Sequence, residues 1–206
     1  MKNKVKGQLY MTFVIFFLSV LFTINIIAWF YPQSIVREDF ENDFGGWTVD
    51  ADVPQDPNNP GHPIEWHIIR TLDKSSSGLY SLEFFIDGKQ DDGTIWIERK
   101  INVKENSRIQ IKVAFQLYSE WESANAIAGV CAHVNTSNPE KENDFIDGRL
   151  GPANQVAGWK KYEYTTRITT DSTGEIWIGL GISVLWETHM TYYIDDLNVA
   201  IFYSYL

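Results

Sequence analysis

The sequence has 206 residues, of which 44% are hydrophobic and 15% are aromatic. This content excludes an intrinsically disordered chain, because such chains lack the apolar side chains that offset the entropy lost on folding. The formal net charge is −10, and three lysines are the only charged residues before Arg37, so the rest of the chain carries −13. A surface this acidic repels nucleic acid. The single cysteine, Cys131, excludes an intrachain disulfide.

The first element in chain order is an uncharged apolar run, residues 11–30, long enough for an α-helix to cross ~30 Å of hydrocarbon. Lysines precede the run, and the positive-inside rule therefore places the N-terminus in the cytoplasm. We predict a cytoplasmic N-terminus over 1–9, a transmembrane signal-anchor helix over 10–31 and an extracellular domain over 34–206. The run lacks a small-x-small site, which favours an uncleaved anchor over the alternative, a signal peptide cleaved near Gln33.

After Pro32 the pattern changes to short β-rich runs separated by turn residues. In 107–121 and 175–185 apolar residues alternate with polar or small ones, the period of a strand with one buried face. Two longer connections, 50–63 and 136–157, are either binding loops or plain insertions. The pattern predicts an all-β fold, an antiparallel β-sandwich of jelly-roll type. Seven weaker strand candidates complete it: 34–40, 65–71, 80–86, 94–103, 126–134, 159–168 and 191–203.

Four short motifs occur in order along this domain: F-E-N-D-F-G-G-W at 40–47, G-L-Y-S-L at 78–82, W-K-K-Y at 159–162 and Y-I-D-D-L at 193–197. Together they resemble the motifs of galactose-binding-like jelly rolls, the fold of many non-catalytic carbohydrate-binding modules. The resemblance covers most of the predicted domain and implies the same fold. It leaves the function open, because some domains of this family bind sugars, lipids or proteins and others have only a structural role.

The closing motif contains two adjacent acids, Asp195 and Asp196, in an otherwise apolar segment. Unpaired carboxylates in such a place are costly. In the resembling family a structural Ca²⁺ joins the acid of the opening motif to the first Asp of the closing one, which corresponds here to Glu41 and Asp195. The resemblance therefore implies a calcium ion, with backbone carbonyls of 74–78 as further oxygen ligands. The alternative is that the acids cap strand ends or pair with basic side chains.

Aromatic residues at the ends of two predicted strands suggest a ligand site. Tyr118 and Trp121 end one strand, and Trp186 ends another, followed by Glu187 and His189. Aromatic faces pack against sugar rings, and neighbouring polar groups bind hydroxyls, so this set predicts carbohydrate binding. The alternative is that the two tryptophans close the ends of the sandwich core.

Catalytic motifs provide no support for an enzyme. The four histidines lack metal-ligand spacing, and no nucleophile elbow or phosphate-binding glycine loop occurs. We therefore predict a membrane-anchored, cell-surface, non-catalytic binding domain for carbohydrate. The alternative is a structural or accessory subunit of a membrane or cell-surface assembly, in which the jelly roll contacts protein partners. We expect four further tryptophans of the domain to serve packing: Trp47, Trp66, Trp159 and Trp177.

Overall fold

The computed structural model describes residues 14–17, 32 and 34–203. Residues 14–17 are helical. Among the described residues, no helix has both the length and the apolar character needed to cross a membrane. The predicted cytoplasmic stretch 1–9 and the predicted anchor 10–31, apart from 14–17, lie outside the described residues.

Short β-strands make up most of the described domain. Short 3₁₀ helices cover Gly88–Gln90 and Glu142–Gly148. The strands are β1 Ser34–Glu38, β2 Thr48–Asp52, β3 Trp66–Thr71, β4 Ser81–Asp87, β5 Thr94–Asn102, β6 Arg108–Ser119, β7 Ala128–Asn135, β8 Arg149–Pro152, β9 Gly158–Thr169, β10 Glu175–Val184 and β11 His189–Tyr203.

The strands form two antiparallel sheets. The first has the order β3-β4-β11-β6-β9, with β1 beside the second half of β11, and the second has the order β2-β5-β10-β7-β8. This arrangement confirms the predicted antiparallel β-sandwich, and all nine predicted strands are present. The sequence pattern missed only β2 and β8 among the described strands, because they have five and four residues and lack a clear alternation.

The core lies between the two sheets and follows the alternation seen in the sequence. In β10, Ile176, Ile178 and Leu180 are fully buried in it, and in β6 Val113 and Leu117 are equally buried. Each fully buried aliphatic side chain of this size contributes about 1.5–3 kcal/mol. The residues between these buried positions in β6 and β10 therefore point away from the core, toward the outer faces of the two sheets.

Residues 136–148, here called the covering segment, pack on the outer face of the second sheet. Phe145 is fully buried, with its ring centroid 5.1 Å from that of Trp96, and forms a small second core with Trp96 and Cys131. The ring nitrogens of His133 lie 2.8 and 3.0 Å from the carbonyl oxygens of Asp144 and Ser137. The covering segment is therefore held at both ends, and it covers Trp96 and Cys131 on this face.

A bulge interrupts β11 between Asp195 and Asn198, where its register against β6 shifts. Asp196 has a φ of 52°, and this local turn lets both Ile194 and Leu197 point into the core. A regular strand would place these two side chains, three residues apart, on opposite faces. The bulge therefore places the two apolar residues that flank the acidic pair in the core.

Candidate functional site

Three aromatic side chains lie side by side on the outer face of the first sheet. In register across adjacent strands, Tyr193 of β11 faces Tyr118 of β6, which faces Trp159 of β9. The ring centroid of Tyr118 is 5.4 Å from that of Trp159 and 6.0 Å from that of Tyr193. All three side chains are partly exposed. We call this set the aromatic row, and it runs across the strands, which are about 4.8 Å apart.

A second group of rings adjoins the aromatic row on the same face. His67 of β3 stacks on Phe85 of β4 at 5.0 Å, and the edge of His189 approaches Phe85 at 6.0 Å. Phe85 alternates along β4 with buried core residues, which is why it points to this outer face. The surface therefore presents rings from four neighbouring strands and from the edge strand β3.

Acidic groups are interspersed between these rings. Nε2 of His67 donates a hydrogen bond to Glu83 (2.9 Å), and Nε2 of His189 lies 3.1 Å from Asp87. Glu83 is also the register neighbour of Tyr193. Burial first, and the charge of Glu83 second, raise the pKa of the Tyr193 phenol, so that this hydroxyl stays protonated at neutral pH. The rings thus stand among hydrogen-bonding groups suited to hydroxyl-rich ligands.

Lys74 and Glu120 contact the central ring of the aromatic row. Nζ of Lys74 is 3.4 Å from Oε2 of Glu120 and 5.0 Å from the ring centroid of Tyr118. The hydroxyl of Tyr118 donates to the same carboxylate at 3.4 Å. The central ring therefore has an ammonium over its face and a carboxylate at its hydroxyl group.

The two tryptophans predicted as ligand residues lie on loops at one end of the sandwich, here called the rim. The side chains of Trp121 and Trp186 are 61% and 56% exposed, and Glu187 is exposed as well. They do not close the core. Their loops, β6–β7 and β10–β11, both cross between the sheets at the end where β11 begins.

The predicted ligand residues therefore divide between two neighbouring places. Tyr118 and His189 lie on the outer sheet face, and Trp121, Trp186 and Glu187 lie at the rim. Trp159, which was expected to serve packing, lies on the outer face, and no sequence motif singled out the other members of that face. Alternation within each strand indicated which side chains share a face, whereas only the strand register brings distant strands together. The additional residues are Trp159, Tyr193, Phe85, His67 and Glu83.

Asp195, the first predicted calcium ligand, is fully buried beneath the β3–β4 turn. Its Oδ2 accepts hydrogen bonds from the backbone N–H groups of Ser76 (2.7 Å) and Ser77 (3.1 Å), and its Oδ1 accepts one from Asp196 (2.7 Å). Burial raises the pKa of Asp195 above its ordinary value, and these three donors oppose that effect. Asp195 therefore fixes the turn through its carboxylate.

Glu41, the second predicted ligand, binds the other side of the same turn. Its Oε1 accepts hydrogen bonds from the N–H groups of Leu79 (2.8 Å) and Tyr80 (2.7 Å). Arg70 donates to the carbonyl oxygens of Phe40 and Glu41 and lies 3.3 Å over the ring of Tyr80. Glu41 and Asp195 thus hold one turn between them from two sides.

A calcium ion at Glu41 and Asp195 stays a prediction. Among the described residues, no three acidic, histidine or cysteine side chains come together in a group that could hold a metal ion. An ion bound here would therefore take most of its oxygen ligands from backbone carbonyls, as Ca²⁺ can. The backbone donors around both carboxylates also give these acids a structural role that needs no ion.

Comparison with known proteins gives similarity to solved structures only. No family model matches the sequence, and no curated protein sequence is similar to it. The xylan-binding domain CBM22-1 of Paenibacillus barcinonensis Xyn10C is 13% identical with a TM-score of 0.49, covering 85% of this chain and 99% of that one. TmCBM61, solved with β-1,4-galactotriose, is 15% identical with a TM-score of 0.46, covering 81% and 94%.

A further structure, from a study of promiscuous specificity in carbohydrate-binding modules of the β-sandwich superfamily, is 17% identical with a TM-score of 0.48. The match covers 77% of this chain and 59% of that one.

Proposed function

We propose that this protein is a non-catalytic carbohydrate-binding domain, held at the outer surface of a membrane by its N-terminal apolar segment. The aromatic row carries the proposal. Trp159, Tyr118 and Tyr193 stand next to one another on a sheet face whose side chains remain partly exposed. Aromatic rings pack against the apolar faces of sugars, and a row of them offers successive positions for neighbouring sugar units.

The polar groups around the rings support the same proposal. The His67–Glu83 and His189–Asp87 pairs offer both donors and acceptors beside the rings. Sugar hydroxyls can donate and accept at once, so they match such mixed groups. On the opposite sheet face the covering segment buries Trp96 and Cys131, whereas the rings of the aromatic face remain partly exposed.

The membrane attachment in this proposal rests on the sequence. Residues 11–30 are uncharged and apolar, and the charge changes from three lysines before them to a net −13 after them. An N-terminal anchor of this kind would expose the sandwich on the extracellular side.

Replacement of Trp159 tests the proposal in the detergent-solubilised full chain. Trp159→Ala should lower the affinity for a glycan that the parent protein binds by about 30-fold, the effect of losing one aromatic contact worth about 2 kcal/mol. Trp177→Ala is the matched control, because Trp177 is a partly exposed tryptophan on the second sheet. A parent protein that binds no glycan, or a Trp159→Ala variant with unchanged affinity, would reject the proposal.

The rim favours a second candidate, a structural or accessory subunit that binds protein. Trp121, Leu185 and Trp186 are all exposed on the two loops at one end of the sandwich, and exposed apolar side chains that form one patch mark protein contacts in many proteins. Purification in mild detergent separates the two candidates. A stoichiometric protein partner without glycan retention supports the subunit, whereas a chain retained alone on a glycan column supports the binding domain.

A further inference from the structure

We infer that Lys74 and Glu120 set the charge preference of the aromatic row, so that it binds uncharged sugars in preference to sugars that carry carboxylates. The inference rests on the proposed glycan-binding function and specifies its ligand class. It concerns the central position of the row, where Lys74 lies over the ring of Tyr118 and Glu120 accepts a hydrogen bond from the Tyr118 hydroxyl.

The Lys74 ammonium occupies the position from which a ligand would approach the central ring. Its Nζ lies 5.0 Å from the Tyr118 centroid, and cations attract aromatic faces at such distances. The Tyr118 hydroxyl first, and the Glu120 carboxylate second, raise the pKa of Lys74, so the group stays charged at neutral pH. A sugar that packs on Tyr118 must therefore meet or displace this ammonium.

Hydrogen bonds hold the backbone around Lys74, whereas its side chain is partly exposed to solvent. The Lys74 carbonyl accepts a hydrogen bond from Ser81 Oγ (2.5 Å), and Asp195 holds the following residues Ser76 and Ser77. The side chain itself is 36% exposed and that of Glu120 is 65% exposed. Exposed ion pairs contribute only about 0–1 kcal/mol, so a ligand can displace the ammonium at little cost.

The charge of Glu120 determines how strongly the Lys74 ammonium attracts a ligand carboxylate. Because Lys74 is paired with Glu120, its ammonium attracts a ligand carboxylate less strongly, and the nearby Glu120 carboxylate repels that ligand. Glu83 and Asp87 add negative charge on the same face. A neutral sugar meets no such repulsion. Without Glu120, the ammonium over Tyr118 would be available to a ligand carboxylate.

The substitution Glu120→Gln, made in the full chain, tests the inference because it keeps the size of the side chain and removes its charge. The probes are neutral hexasaccharides of glucose, xylose and galactose, and hexagalacturonic acid. Glu120→Gln should raise the affinity for hexagalacturonic acid by about fivefold at low salt, the effect of one charge contact near 4 Å in water. The gain should shrink at 0.5 M NaCl. Affinity for the best neutral hexasaccharide should change less than twofold.

Glu122→Gln is the matched control, because Glu122 is an exposed glutamate two residues further along the same loop. An equal gain in that variant, or an unchanged ratio of acidic to neutral binding in Glu120→Gln, overturns the inference while the proposed function stands. A parent protein that binds neither kind of hexasaccharide overturns the proposed function and the inference with it. Equal melting temperatures of the three proteins establish that folding is unaffected.

Discussion

Trp186 is the rim residue whose replacement best separates stability from binding. Its side chain is 56% exposed, so Trp186→Ala should leave the melting temperature within about 2 °C of the parent value, as for other surface substitutions. If Trp186 extends the glycan platform, as the sequence predicts, affinity should fall by about tenfold. Glycan binding and thermal unfolding of the same preparation check both expectations. Unchanged affinity confines the site to the sheet face, and a large loss of stability contradicts the exposed position.

Asp195 should be far more important for stability than its neighbour Asp196. Asp195→Ala leaves three backbone N–H donors without their acceptor in a buried place, which should cost about 3 kcal/mol. Asp196→Asn is the matched control, because asparagine tolerates a φ of 52° and the side chain can still accept from Ser77. Denaturant unfolding measures both changes. Equal stabilities of the two variants would contradict the structural role of Asp195.

The predicted calcium ion is tested with the same Asp195 variant. An ion that binds only the native state stabilises it by mass action, so the melting temperature of the parent should rise with Ca²⁺ and fall with a chelator. Asp195→Ala should abolish this response. A parent protein that melts at one temperature in both conditions has no calcium site of consequence, and the hydrogen-bonding role of Asp195 is unaffected by that result.

The covering segment makes a prediction at the scale of an element. Phe145 is fully buried against Trp96, so Phe145→Ala should cost about 3–5 kcal/mol. Burial raises the pKa of the Cys131 thiol to about 12 and makes it unreactive beneath this segment. The variant should therefore react faster with a thiol reagent in native buffer. Ile146→Ala, at an exposed position of the same 3₁₀ helix, should change neither quantity. Equal thiol reactivity in the two variants would contradict the covering role.

The presence of most strands could be predicted from the sequence, but the pairing and register between strands could not. Alternation in β6 and β10 identified the core face directly, because burial on one side imposes a period of two. The aromatic row depends instead on the register of β11, β6 and β9, which no local pattern encodes. For the same reason, nothing in the polar run 136–157 indicated that Phe145 would complete a second core with Trp96.

The proposed membrane orientation is tested at the scale of the whole molecule. An epitope at the C-terminus of the full chain should be labelled on intact cells, because the predicted anchor leaves the sandwich outside. An epitope at the N-terminus should be labelled only after permeabilisation. The opposite pattern would contradict the orientation, and release of the domain without detergent would indicate a cleaved signal peptide.

The pairing of β1 with the far end of β11 determines which way the aromatic row is presented. Ser34, where the described domain begins, lies opposite Ile201, whereas Tyr193 lies near the other end of the same strand. Eight residues of strand separate Tyr193 from Ile201, about 25 Å. In the proposed anchored protein, a tether at this end would leave the aromatic row toward the opposite end of the strand, about 25 Å from Ser34. That separation would favour contact with polymers outside the cell over contact with headgroups of the cell's own bilayer.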